Sequence, residues 1–144
     1  MAIASASVRT SNVTINNASV EIIASSTLAY KLMEFGTSNN TATSSILGFG
    51  VPAAIGVTPT TPAALVFEDG GNTSTPGTTT ALAWGTSPTN PTVYSRRVTL
   101  PATIGAGIVW TFPRGFAVLK AKTLTLSNIV ATPAVQDAWL VLDE

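Results

Sequence analysis

Wherever this chain has a regular pattern, apolar and polar residues alternate with a period of two, the spacing of a β-strand with one face on a core. Residues 12–16 place Val13 and Ile15 on one face, residues 19–24 place Val20 and Ile22 together, and Asn16-Asn17 between them reads as a turn. Residues 27–35 carry two patterns. Leu28, Leu32 and Phe35 have helical spacing, with Ser26 as N-cap and Gly36 as stop, whereas Leu28, Tyr30 and Leu32 opposite Lys31 and Met33 read as a strand. The strand is preferred because its surroundings are β-like. A further short apolar run covers residues 45–49.

The middle of the chain differs in kind. Residues 58–62, 72–80 and 86–92 are Thr/Pro/Gly/Asn clusters, and proline cannot donate to a sheet ladder, so these predict long loops with short strands at 64–67 and 80–84 between them. From residue 93 the pattern tightens. Val98 and Leu100 share a face opposite Arg97 and Thr99, residues 107–112 are nearly all apolar, and Pro113-Arg114-Gly115 predicts a tight turn into residues 116–119, making a buried hairpin. Residues 123–130 place Leu124 and Leu126 inward and Thr123, Thr125 and Ser127 outward, with a phase shift at Asn128-Ile129 that predicts a bulge.

The last strand, residues 136–143, is apolar on both faces: Ala138, Leu140 and Leu142 on one, Trp139 and Val141 on the other. An antiparallel strand with one face on a core carries polar residues opposite. The Trp139 side therefore predicts cover, by a loop or by another subunit.

Eight to ten short strands with no convincing helix predict an all-β fold, an antiparallel β-sandwich that is jelly-roll-like with long Thr/Pro-rich loops. At 144 residues one domain over 1–144 is expected, with residues 1–18 as a docking arm or an edge strand.

Composition then restricts the chemistry. There is no histidine and no cysteine, so no side chain has an unperturbed pKa near neutrality and no thiolate is present. Charged residues make up 10% of the chain, 7 basic against 7 acidic, well below the roughly 25% of an ordinary domain. A neutral surface with so few charges has little protection against self-association, which favours a permanent homo-oligomer. Nucleic-acid binding is disfavoured, because only Arg96-Arg97 and the Lys120/Lys122 pair approach a basic cluster. Membrane insertion is disfavoured because no run reaches about 18 apolar residues. The first ten residues lack the basic and apolar regions of a secretory signal.

No catalytic residue is assigned. A serine nucleophile without histidine needs a lysine, and no S-x-x-K spacing precedes Lys31, Lys120 or Lys122. A two-carboxylate hydrolase would need Glu68 or Asp69 beside Glu21 or Glu34. The turn from Glu68 to Asn72 has oxygen donors for a hard cation but lacks the EF-hand alternation, so no metal is assigned. Gly48-Phe49-Gly50 and Gly105-Ala106-Gly107 read as turn or close-packing glycines, since no helix opens after them; no cofactor is expected. Among the tryptophans, Trp84, beside a loop, is the candidate for stacking a sugar ring, and Trp110 reads as core.

The segments LPATIGAGIVWTFPRGFAVLKAKTLTLSNIV and AWLVLDE, in a cysteine-free, Ser/Thr/Gly-rich β-protein, resemble the minor virion proteins of tailed bacteriophages, the capsid decoration (cement) proteins and head fibres. The resemblance implies a jelly-roll-like sandwich, often trimeric, docked on the major capsid protein lattice or on a tail component, in a virion assembled in the host cytoplasm. The alternative within that setting is a receptor- or carbohydrate-binding appendage centred on Trp84. Trp139 and Val141 are the interface candidates. Arg96, Arg97 and Arg114 are candidate inter-subunit donors to carboxylates such as Asp143.

Overall fold

The computed structural model describes residues 2–10, 17–60, 62–129 and 134–144, and every regular element among them is a strand. In chain order these are β1 (Ile3–Arg9), β2 (Ala18–Ile23), β3 (Tyr30–Asn39), β4 (Ser45–Gly50), β5 (Val57–Pro59), β6 (Pro62–Ala64), β7 (Val66–Phe67), β8 (Thr79–Ala81), β9 (Trp84–Thr86), β10 (Arg96–Leu100), β11 (Gly107–Val118), β12 (Thr123–Asn128) and β13 (Gln136–Asp143). The strand expected over 12–16 lies outside the described residues.

All pairings are antiparallel. One sheet has the order β11-β3-β13-β1-β7, a second the order β10-β4-β12-β2-β8-β6, and β5 pairs β9 separately. The long strands nest in their pairing. β1 pairs β13, β2 pairs β12, β3 pairs β11 and β4 pairs β10, so the first half of the chain lies antiparallel to the second half. Segment Ile3–Arg9, which falls within the expected arm or edge strand, is built into the first sheet between β13 and β7.

Alternation supplies the core. Ala4, Leu32, Phe35, Ala138, Leu140 and Leu142 from the first sheet face Val20, Ile22, Leu47, Phe49, Leu124 and Leu126 from the second, all buried. Each large side chain hidden this way stabilises the fold by roughly 1.5–3 kcal/mol. Phe35 and Phe49 stack across the two sheets with centroids 5.0 Å apart, and Trp110, Phe112 and Phe116 extend the aromatic cluster toward the edge at β11.

Residues 27–35 resolve as strand from Tyr30 onward, and their helical spacing has a β explanation. Both neighbours of β3 skip Met33: β11 pairs Thr111 with Glu34 and Phe116 with Leu32, and β13 pairs Val141 with Glu34 and Leu142 with Leu32. Met33 is a bulge residue, so Leu32 and Phe35 both point into the core three positions apart.

Three expectations are corrected. The hairpin at 113–115 is absent: both halves of β11 pair β3 in the same direction, and residues 112–115 bulge out opposite Met33 alone. Gly115, at φ 70°, supplies the conformation that rejoins the chain to the ladder. The bulge expected at Asn128-Ile129 lies instead between Leu126 and Ser127, with Ser19 of β2 as the extra residue. Finally, Thr123, Thr125 and Ser127 do not face water; all three are buried.

Their cover comes from the chain itself. Tyr94 packs over Gly48, Pro91 over Gly50, and Trp84 over Gly56 and Glu21, so the connection from β4 to β10 lies across the outer face of the six-stranded sheet. Residues 58–62, expected as loop, feed β5 and β6 of this connection. The outer face of the five-stranded sheet stays open: Ser7, Arg9, Lys31, Val109, Thr111 and Ala117 are exposed.

Candidate interaction surface

Trp139 sits at the middle of that open face. On its two sides the ladder places Ser7 of β1 and Gly36 of β3, and the indole covers Gly36, where an added methyl group would overlap the ring. Its Nε1–H donates to Glu34 Oε1 at 3.1 Å. Trp139 and its strand neighbour Val141 are half-buried, and Val109 beside them is 46% exposed. The result is an apolar centre ringed by Ser5, Ser7, Ser38 and Thr111, which suits contact with another protein surface better than water.

One end of this face is fixed by charge. Arg9 Nε and Nη2 donate to the two oxygens of Asp137 at 2.6 and 3.0 Å, a bidentate pair that joins β1 to β13, and Asn40 Nδ2 adds a bond of 2.9 Å to Oδ2. These bonds, with that from Arg9 the largest influence, hold the Asp137 carboxyl below the usual carboxylate range and raise the guanidinium further. This is the one ion pair among the described residues.

The opposite outer face repeats the tryptophan–glutamate device under cover. Trp84 Nε1 donates to Glu21 Oε2 at 2.6 Å, and Gly56 N donates to Glu21 Oε1 at 3.1 Å. Glu21 is fully buried, so these two donors compensate its lost hydration. Trp84 is half-buried against Gly56 with its polar atom engaged, which makes it a clamp for the β4–β10 connection. Nearby in the core, Tyr30 donates from its hydroxyl to the Ile22 carbonyl at 3.2 Å, and burial, followed by the negative charge of Glu21, pushes its phenol well above the ordinary value.

The arginines divide between two places. Arg96 and Arg114 come together at the β10/β11 edge, where the Arg96 guanidinium carbon stands 5.6 Å from the Phe112 ring centroid. Arg97 lies across from Gly48 on the other outer face beside Tyr94, whose phenol is raised by burial against the opposing effect of Arg97. Asp143 is on the end of β13 between Ile3 and Lys31, and its Oδ1 is buried without a hydrogen-bond partner. Among the described residues no ion pair joins it to any of the three arginines.

The acids named for hydrolysis are dispersed. Glu21 and Glu34 lie on the outer faces of opposite sheets, each holding an indole N–H. Glu68 and Asp69 follow β7, three strand spacings from β3, roughly 14 Å across the sheet. The Asp69 carboxylate accepts from Gly71 N at 3.0 Å and Asn72 accepts from Ser74 N at 2.9 Å, the hydrogen bonds of ordinary polar turns. No group of three or more acidic, histidine or cysteine side chains converges among the described residues. The buried Glu21 and the paired roles of Gly36 and Gly56 have no sequence signal of their own, because each depends on a tryptophan more than 25 residues away.

No protein-family model, curated protein or solved structure matches this chain.

Proposed function

We propose that this chain is a non-enzymatic structural subunit of a tailed-bacteriophage virion, a capsid decoration protein that associates with copies of itself and with the major capsid protein. The nested pairing of its eight long strands supports a jelly roll, an antiparallel ribbon wound so that successive strands alternate between two sheets, an architecture used by capsid proteins and lectins. The observation that carries the self-association reading is the asymmetry between the two outer faces. The chain folds its own β4–β10 connection over one sheet and leaves the other open, with Trp139, Val141 and Val109 at its centre. Apolar side chains gathered on an open sheet face, in a chain of net charge zero, mark a protein contact.

Light scattering of the purified chain is the test. The wild-type chain is expected to form a defined oligomer at micromolar concentration, and Trp139→Ala with Val141→Ser to lower its mass while leaving the fold intact. Unchanged mass and thermal stability in that variant would remove this surface as a contact. Co-sedimentation with emptied phage capsids then tests the decoration role: a chain that stays in the supernatant is not a cement protein for that shell.

A further inference from the structure

We infer that copies of this chain meet head to tail, edge against edge, with the acidic turn after β7 of one copy seated in the arginine groove at the β10/β11 edge of the next. The inference rests on the self-association reading above and adds to the contact through the open sheet face a second one between copies, at the sheet edges.

Few charges are available, yet those at one end of the five-stranded sheet are sorted by sign. Glu68 N donates to the Ile3 carbonyl, Ile3 pairs Asp143, Asp143 pairs Lys31, and Lys31 pairs Ala117 and packs against Gly115. Across this row the chain therefore runs from Glu68 and Asp69 at the β7 edge, through Asp143 and then Lys31, to Arg114 at the β11 edge. The acidic and basic edges stand four strand spacings apart, roughly 19 Å.

The basic edge carries a shallow, open depression. Arg96, Thr111, Phe112, Pro113, Arg114 and Gly115 line a groove of about 380 Å³, in which Phe112 carries the Arg96 guanidinium above its ring. Arg96 and Arg114 are exposed, and neither has a carboxylate partner among the described residues. The bulge at 112–115 interrupts the outer hydrogen-bonding edge of β11, so a second strand cannot simply extend the sheet there. Contact at this edge therefore falls to side chains, and a guanidinium is suited to grip a carboxylate through two donors. Glu68 and Asp69 are the exposed acids of the opposite edge, at the same level of the sheet, with Val66 beside them 63% exposed to supply apolar contact.

Like charges gathered on one edge disfavour a two-fold contact through either edge, since symmetry would bring a basic patch against a basic patch or an acidic one against an acidic one. A heterologous contact satisfies both edges at once and generates a ring when the rotation closes.

Sedimentation velocity of the full chain, with Arg114→Glu, Glu68→Arg and the double exchange in one chain, tests the inference. Neither side chain makes a hydrogen bond or ion pair within its own described fold, so neither substitution compromises folding; a thermal melt verifies this. Each single reversal is expected to weaken association at least about tenfold, and the exchange to recover it. Association of the wild-type chain is expected to weaken as salt is raised, because the contact is rim-exposed. An exchange variant as weak as the single reversals, or a Glu68→Arg variant that associates normally, overturns the edge contact. Loss of association in Trp139→Ala with both charge variants intact overturns it too, leaving self-association through the sheet face. A monomeric wild-type chain overturns both readings.

Discussion

Replacing Gly36 with alanine places a methyl group inside the space held by the Trp139 indole, and the direction of its effect depends on whether the indole is there. With Trp139 present, the ring must lift from the sheet. The bond from Nε1 to Glu34, 3.1 Å long, is then lost. A hydrogen bond to a charged acceptor contributes about 1.5–3 kcal/mol, at the lower end for a half-exposed pair. Uncovering on the order of 50 Å² of apolar contact costs about 1.2 kcal/mol more. Alanine in a strand offsets this by about 0.5–1 kcal/mol relative to glycine. The expected outcome is a net destabilisation of about 2 kcal/mol, or roughly 6 °C in Tm for a chain of this length. In a Trp139→Ala background the clash and the bond are both absent, so Gly36→Ala is expected to stabilise by about 0.5–1 kcal/mol. Urea melts of the four proteins, run below the concentration at which the chain associates, complete the cycle. Equal destabilisation by Gly36→Ala in both backgrounds would show that the indole does not occupy the space above Gly36.

Two further outcomes follow from the same geometry. Trp84→Phe removes one of the two donors to the buried Glu21 carboxylate and is expected to cost about 1.5–3 kcal/mol, with faster amide exchange at Gly56; adding Glu21→Gln should recover part of the loss, because a neutral amide needs less compensation. The Arg9–Asp137 pair contributes a small part of the acid limb: because Asp137 is lowered in the folded chain, its contribution is fully present above the ordinary carboxylate pKa of about 3.9 and disappears as pH falls through the lowered value. Wild-type and Arg9→Met chains should therefore converge in stability in strong acid and differ near neutrality, and NMR titration should find the Asp137 transition moved upward in the variant. Parallel stability curves across the whole range would contradict that pairing.

The architecture was legible in the alternating residues, and the mistakes occurred where a residue's environment is made by distant chain. Leu32 and Phe35 carry a helical spacing beside the strand pattern that prevails, because a bulge at Met33 mimics a three-residue step. Pro113-Arg114-Gly115 has the composition of a hairpin turn, yet the apolar segments on both sides of it find the same partner strand, so the turn residues form a bulge on one continuous strand. Thr123, Thr125 and Ser127 match a solvent face in composition, but Trp84, Pro91 and Tyr94 arrive from a distant, earlier segment to bury that side of the sheet. Local periodicity reports which residues share a face; it does not report whether the polar face is subsequently covered. The two-sided pattern of β13 was readable, because no covering residue is needed to see that Trp139 and Val141 stand opposite Leu140 and Leu142. The glutamates that hold the indoles were not, since Glu34 and Glu21 reach their tryptophans only through strand pairing and the folding back of the connection.

The open face around Trp139 is best probed by fluorine NMR of the chain grown with fluorotryptophan, in which Trp139→Phe assigns the resonance. The wild-type resonance should shift, and lose its sensitivity to a solvent-borne quencher, as protein concentration rises through the association range, while Trp84 and Trp110 stay constant. A Trp139 signal equally accessible to solvent at every concentration, in a chain whose mass nevertheless increases, would contradict its role as a contact.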